Sequence, residues 1–201
     1  MGKNLIVTGT GDSLFTNDFP ASYEQDRIEV AGVIGECDIR ITNLETNLSE
    51  FGDFGNAYSG GTWLNTEPED FKYLEGYGFN YYGTANNHVM DYSYHAMLDT
   101  IKELEKRGYA HSGTGVDLAD ASKPAIIEVD GKKVAIIAVT TEFEVASKAG
   151  VPTPKIKGRP GVNYAGYTKY WQIDKEDVAT LEKIAEKTYL NEKYTAKFCC
   201  F

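Results

Sequence analysis

A chain of 201 residues with 42% hydrophobic and 25% charged side chains is long enough for one domain with a substantial core. Thirty acidic against twenty basic side chains leave a formal charge of −10, which argues against a nucleic-acid binder, because phosphate-backbone affinity is built from Lys and Arg. Cys37, Cys199 and Cys200 are odd in number with two adjacent, so they read as reduced structural thiols and not as a disulfide framework. There is no basic and apolar leader, and no run approaches the roughly 18–20 apolar residues of a membrane span, so the sequence as written predicts a soluble, cytoplasmic protein.

The chain opens with Leu5-Ile6-Val7, a buried first strand, and then a glycine-rich turn over Thr8–Ser13 that leaves Asp12 at the strand's carboxyl end. The two glycines there complete neither a dinucleotide-binding nor a P-loop spacing. Taken alone, Asp12 reads better as a turn residue or a helix cap than as a site residue. Ser22–Ile34 predicts an amphipathic helix carrying Ile28, Ala31, Val33 and Ile34, stopped by Gly35.

Asp38–Thr42 alternates as a strand and runs into Asn43-Leu44-Glu45-Thr46-Asn47. Asn43 and Glu45 are two apart, so in extended backbone their side chains point to one side. Residues 51–65 lack any period and read as a surface loop flanking the site, with Trp63 either a lid or a pin. A helix is expected from Glu67, with Thr66 as its cap, Pro68 in its first turn and Phe71, Leu74 and Tyr77 buried.

Phe79–Tyr82 is a third strand, and Ala85-Asn86-Asn87-His88-Val89-Met90-Asp91 follows at a strand-to-helix corner. Met97, Leu98, Ile101 and Leu104 recur at helical spacing up to Gly108, with Asp91 or Ser93 as the expected cap. The amides of that helix end would favour an anion such as phosphate. Tyr109–Gly115 reads as a fourth strand and a glycine turn, carrying His111, a candidate for the site or an ordinary hydrogen-bonded histidine. A short helix over Asp117–Ser122 is followed by two strands around Asp130-Gly131-Lys132, a hairpin signal. Val134–Val139 is almost wholly apolar and is expected to be buried on both faces, ending in Thr140-Thr141-Glu142. A Pro- and Gly-rich connection, an amphipathic helix over Asp174–Glu186 and an apolar end around Phe198 complete the chain.

Three successive strand ends thus deliver Asp12, then Asn43 and Glu45, then Asn87 and His88. If the strands are parallel, those ends lie along one edge of an α/β sheet. Carboxylate, amide oxygen and imidazole together suit a hard or borderline divalent cation, although polar loops also gather at strand ends without any chemistry.

Gly11-Asp12, Asn43-Leu44-Glu45-Thr46, Ala85-Asn86-Asn87-His88 with Asp91-Tyr92, and Ser112-Gly113-Thr114-Gly115 with Ala121 and Pro124 come in the order and spacing of the CapA family. These capsule and poly-γ-glutamate synthesis proteins belong to the calcineurin-like metallophosphoesterase superfamily, and the resemblance runs from about Leu5 to about Thr141. It implies a layered α-β-β-α sandwich with mixed sheets in a single domain over residues 1–201, best matched over 1–142. It implies a two-metal site (Mn, Fe, Zn or Mg) with Asp12, Glu45 and Asn87 as ligands and His88 as the acid that protonates a leaving group. Asn43 would orient Glu45, and Asn86 and Asp91 would support the corner. Substrates would be phosphoesters or an anionic polymer, and partners other capsule-synthesis proteins; family members are often membrane-anchored or extracellular. The family also carries later histidine motifs, whereas the histidines here are His88, His95 and His111. The resemblance therefore implies a domain incomplete at its C-terminus, weak or inactive by itself as a phosphoesterase. A non-catalytic polymer-binding or assembly module is the alternative.

Overall fold

The computed structural model describes residues 4–15, 20–50, 52, 54–59, 61–141, 145–170 and 172–187. The chain divides into two compact units, Met1–Gly166 and Tyr167–Phe201. The described strands of the first unit are β1 (Val7–Ser13), β2 (Ile39–Leu44), β3 (Asn47–Leu48), β4 (Asn65–Thr66), β5 (Tyr81–Gly83), β6 (Ala110–Ser112), β7 (Thr114–Gly115), β8 (Ala125–Val129), β9 (Lys132–Ile136) and β10 (Gly161–Val162). Its helices are α1 (Glu24–Gly35), α2 (Phe71–Glu75), α3 (Ser93–Lys106) and α4 (Leu118–Ala121); the second unit contributes α5 (Lys175–Lys187).

β1, β2, β5 and β6 form a parallel sheet in that order, so successive strands lie side by side and their carboxyl ends share one edge. Antiparallel pairing occurs between β7 and β10 and in the β8–β9 hairpin, making the architecture mixed α/β, in keeping with a metallophosphoesterase-like fold. The hairpin turns where expected, with φ of 49° at Asp130 and 73° at Gly131, the paired left-handed conformations a two-residue turn requires.

The core lies against this sheet. Phe71, Leu74, Phe79, Tyr82, Leu48 and Leu104 pack into one buried cluster with Tyr77 and Tyr109 against it. Phe71 meets Tyr82 with ring centroids 5.2 Å apart, and Tyr82 meets Tyr109 edge-on at 5.0 Å. A second cluster of Val89, Met90, Met97 and Val162 sits directly behind the corner that follows β5. The amphipathic pattern of α3 is therefore realised: Ala96, Met97, Thr100 and Leu104 are buried.

Several local expectations are corrected. The glycine turn over Thr8–Ser13 is part of β1 itself, and Ile6 and Val7 are exposed, because β1 is the edge strand. In α1 only Ile34 is buried; Ile28 and Val33 face outward. Thr66 caps no helix: it lies in β4 and its hydroxyl donates to the Phe15 carbonyl, while α2 begins only at Phe71. Val134–Val139 is not buried on both faces: β9, in a two-stranded sheet with β8 among the described residues, ends at Ile136 with no fully buried side chain, and Ile137 and Val139 beyond it are exposed because nothing described covers them. Within the second unit Val178, Leu181 and Ile184 of α5 are exposed. Glu142 and the apolar end around Phe198 lie outside the described residues.

Candidate functional site

The position of Asp12 is set by a bulge. The β1–β2 register slips between Gly9 and Asp12, after which Asp12 stands opposite Asn43 and Ser13 opposite Leu44. Gly11 sits at φ 83°, which a side chain would strain although the space around it is open. Thr42 on β2 pins the slip from beneath. Its buried hydroxyl donates to the Gly11 carbonyl at 3.1 Å and accepts from Ser13 at 2.5 Å and Thr10 at 3.2 Å.

Asn43 joins the two acidic side chains. Its amide donates to Asp12 Oδ1 at 2.8 Å and to Glu45 Oε2 at 3.3 Å, so the two-residue spacing does bring Asn43 and Glu45 to one side. Asn86 holds Asn43 in turn, donating to its Oδ1 at 3.2 Å and to the Leu44 carbonyl at 2.9 Å. Burial, followed by the neighbouring carboxylate of Asp12, pushes Glu45 up to about 7; the His88 charge and the Asn43 amide pull the other way. A buried carboxylate facing a second one is an electrostatic deficit that a proton or a cation relieves.

His88 faces this pair from the corner after β5, with Nε2 3.8 Å from Glu45 Oε1. Its Nδ1 is 2.8 Å from Asp91 Oδ2, and its backbone N–H donates to Asn86 Oδ1 at 3.0 Å. Asp91 is almost fully buried. A carboxylate there accepts only, so Nδ1 carries the proton and Nε2 points to the acidic pair. Asn87 lies between Asn86 and His88 in the same turn and is half-buried.

One expectation for the corner changes. Neither Asp91 nor Ser93 caps α3: its N-cap is Tyr92, without a side-chain bond, and Asp91 is engaged by His88 and by the Leu64 N–H at 2.8 Å. At this helix end Tyr92 N–H donates to Asn47 Oδ1 and Ser93 N–H to the Met90 carbonyl. His111 is directed elsewhere. It pairs with Tyr82 across β5 and β6, and the charges acting on it are Glu105 and Asp120. Burial lowers its pKa, and its Nδ1 is buried without a hydrogen bond.

Three supporting residues escape a reading based on strand ends. Asn47 is buried and clasps the corner, donating to the Val89 carbonyl at 3.1 Å while accepting from Tyr92. Asn56 ties the loop before β4 to the corner through the Asp91 and Met90 carbonyls. Trp63, which is exposed, braces that loop from within, its indole N–H donating to Asn56 O at 2.9 Å. The only signal in the sequence was the density of Asn in otherwise apolar surroundings.

The donor set fits a divalent cation in part. Asp12 and Glu45 supply two carboxylates and the corner adds amide oxygen and imidazole, the chemistry hard and borderline cations accept. Among the described residues, however, no group of three His, Cys, Asp or Glu side chains is arranged to hold a metal.

A family model described as bacterial capsule synthesis protein PGA_cap matches residues 6–192. The chain belongs to this family. Relatives of the CapA-family chain include an uncharacterized protein of Sinorhizobium fredii, 27% identical over 185 residues, covering 90% of this chain and 40% of that protein. A probable polyglutamine synthesis accessory protein of Mycobacterium tuberculosis is 28% identical over 127 residues, 62% of this chain and 32% of its own length. The PGA biosynthesis protein CapA of Bacillus subtilis is 36% identical over 78 residues, 38% of this chain and 20% of its own length. The chain thus spans about 40% or less of the length of these relatives. No described helix is long and apolar enough to cross a membrane.

Proposed function

We propose that this CapA-family chain carries the Asp12–Glu45–His88 half of a metal-dependent phosphoesterase-type site acting in capsule or poly-γ-glutamate synthesis. The observation that supports the reading best is the pairing of Glu45, held near pKa 7 by burial and by Asp12, with an imidazole whose other nitrogen is fixed on a buried carboxylate. A divalent cation bound here would supply Lewis acidity to a phosphoryl oxygen and acidify a water. Asp12 and Glu45 would hold it, with Asn87 as the further oxygen ligand implied by the family pattern. Asn43, steadied by Asn86, keeps the two carboxylates side by side. His88 presents Nε2 to the leaving oxygen and delivers a proton there, while Asp91 fixes the ring and stabilises its charged form.

The test is Mn²⁺-dependent hydrolysis of an aryl phosphodiester by the wild-type chain, Asp12→Ala and His88→Ala. Low but metal-dependent turnover, falling about 10²-fold or more in each variant, supports the reading. Equal rates in all three proteins contradict it.

A second reading is cation-bridged binding of an anionic polymer without turnover. It is favoured by the lack, among the described residues, of a third acidic, His or Cys ligand, and by a net charge of −10 that disfavours direct contact with poly-glutamate. Binding of poly-γ-glutamate that needs Ca²⁺ or Mn²⁺ and consumes no phosphoester supports this alternative.

A further inference from the structure

A cavity of about 240 Å³ opens beside the carboxylate pair, between β1, α1 and the segment that follows α2. Its floor is the buried side chains of Ile34, Leu74 and Phe79, and its rim is the exposed Val30 and Leu14. On the β1 side Thr10, Asp12 and Ser13 line it, and Asp12 is the one carboxylate of the lining. Asp12 therefore belongs both to this cavity and to the Asn43-bridged pair, so the two are continuous. Three aromatic side chains, Phe15, Tyr77 and Phe79, also line it, and the rings of Tyr77 and Phe79 stack on each other with centroids 6.1 Å apart.

These features suit one kind of occupant. Cavities of about 150 Å³ with apolar linings accept a benzene ring, so this one has room for a single ring and the atoms joining it to a polar group. A lining with three aromatic side chains favours a ring over a flexible chain, through offset or edge-to-face contacts. The single carboxylated side sets the polar end of the occupant toward Asp12, where a bound cation would meet a phosphoryl group. We infer that the cavity between β1 and α1 is a subsite for the aromatic substituent of a phosphoester whose phosphorus sits at the Asp12–Glu45 pair. This deepens the phosphoesterase reading and rests on it.

The probes are phenylphosphonate and methylphosphonate, titrated calorimetrically into the full chain with Mn²⁺ present, together with benzyl alcohol in saturation-transfer NMR. Val30 is half exposed, so Val30→Phe fills the cavity mouth without removing a core side chain. Burying one ring is expected to make phenylphosphonate bind at least about tenfold tighter than methylphosphonate. Val30→Phe should abolish that preference and the benzyl alcohol signal while leaving methylphosphonate affinity unchanged. Equal affinities for the two phosphonates, or a preference that survives in Val30→Phe, would overturn the subsite and leave the phosphoesterase reading standing. Binding of benzyl alcohol, lost in Val30→Phe, together with no binding of either phosphonate, would support the ring pocket and reject the phosphoesterase reading beneath it. No binding of any probe overturns both. Sedimentation completes the test, since a dimer that Val30→Phe disperses, with no ring bound, would assign the cavity to a second copy of the chain.

Discussion

His88 Nδ1 and the Leu64 backbone N–H converge on one oxygen of Asp91, each at 2.8 Å. One buried carboxylate thus orients the imidazole and anchors the loop before β4. Among the described residues its other oxygen, Oδ1, is buried without a hydrogen bond, so there these two donors hold the carboxylate. Asp91→Asn preserves the shape but offers an amide of either polarity. We expect His88 to lose its single tautomer, visible as a mixed ¹⁵N imidazole pattern, and metal-dependent turnover to fall about 10²–10⁴-fold. Asp91→Ala leaves two buried donors unsatisfied and should cost about 2–4 kcal/mol in denaturant unfolding.

Glu45 makes the metal-free chain pH-sensitive. Its folded pKa of about 7 lies above the ordinary glutamate value of 4.5, so the folded state binds the proton more tightly than the unfolded one. The associated stability is complete below about pH 4.5 and is lost as pH rises to about 7, an upper bound of about 3 kcal/mol. Thermal unfolding of Glu45→Gln should show a flatter profile between those limits. A cation reverses the sign, because it binds the deprotonated form: Mn²⁺ affinity should rise up to about tenfold per pH unit until about pH 7 and then level off.

The bulge in β1 should be separable from the carboxylate it aims. Thr42→Val removes the hydroxyl that donates to Gly11 and accepts from Ser13 and Thr10, yet keeps the side-chain volume. A loss of about 1–3 kcal/mol is expected, with weaker metal binding although no ligand has changed. Gly11→Ala should act in the same direction through its positive φ.

Gly113 tests the corner from behind. A Cβ there would lie 2.6 Å from Ala85 N and 2.7 Å from Ala85 Cβ, and φ is 117°. Gly113→Ala must push Ala85, and with it Asn86 and His88, away from β6. The expected result is a destabilisation of about 2 kcal/mol or more and shifted His88 resonances.

How far the sequence reached follows from what each residue depends on. Asn43 and Glu45 were legible because they end a strand and a two-residue spacing puts them on one side, whereas the alignment of Asp12 with Asn43 depends on the slip between Gly9 and Asp12. The hairpin at Asp130-Gly131 and the buried stripe of α3 were legible for the same local reason. The misses depend on partners distant in sequence. Thr66 looked like a helix cap but bonds Phe15, 51 residues away. Asp91 looked like a cap but is engaged by Leu64 and His88. Val134–Val139 read as doubly buried because periodicity reports composition, while burial depends on which strands cover a face.

The central claim is that Asp12 and Glu45 together grip a divalent cation. Its most direct test is Mn²⁺ titration at pH 7.5, followed by electron paramagnetic resonance, on the wild-type chain, Asp12→Asn, Glu45→Gln and, as a surface control, His95→Ala. The account predicts saturable binding in the wild type and the control, weakened about tenfold or more in both carboxylate variants. Indistinguishable Mn²⁺ affinity across all four proteins would contradict it.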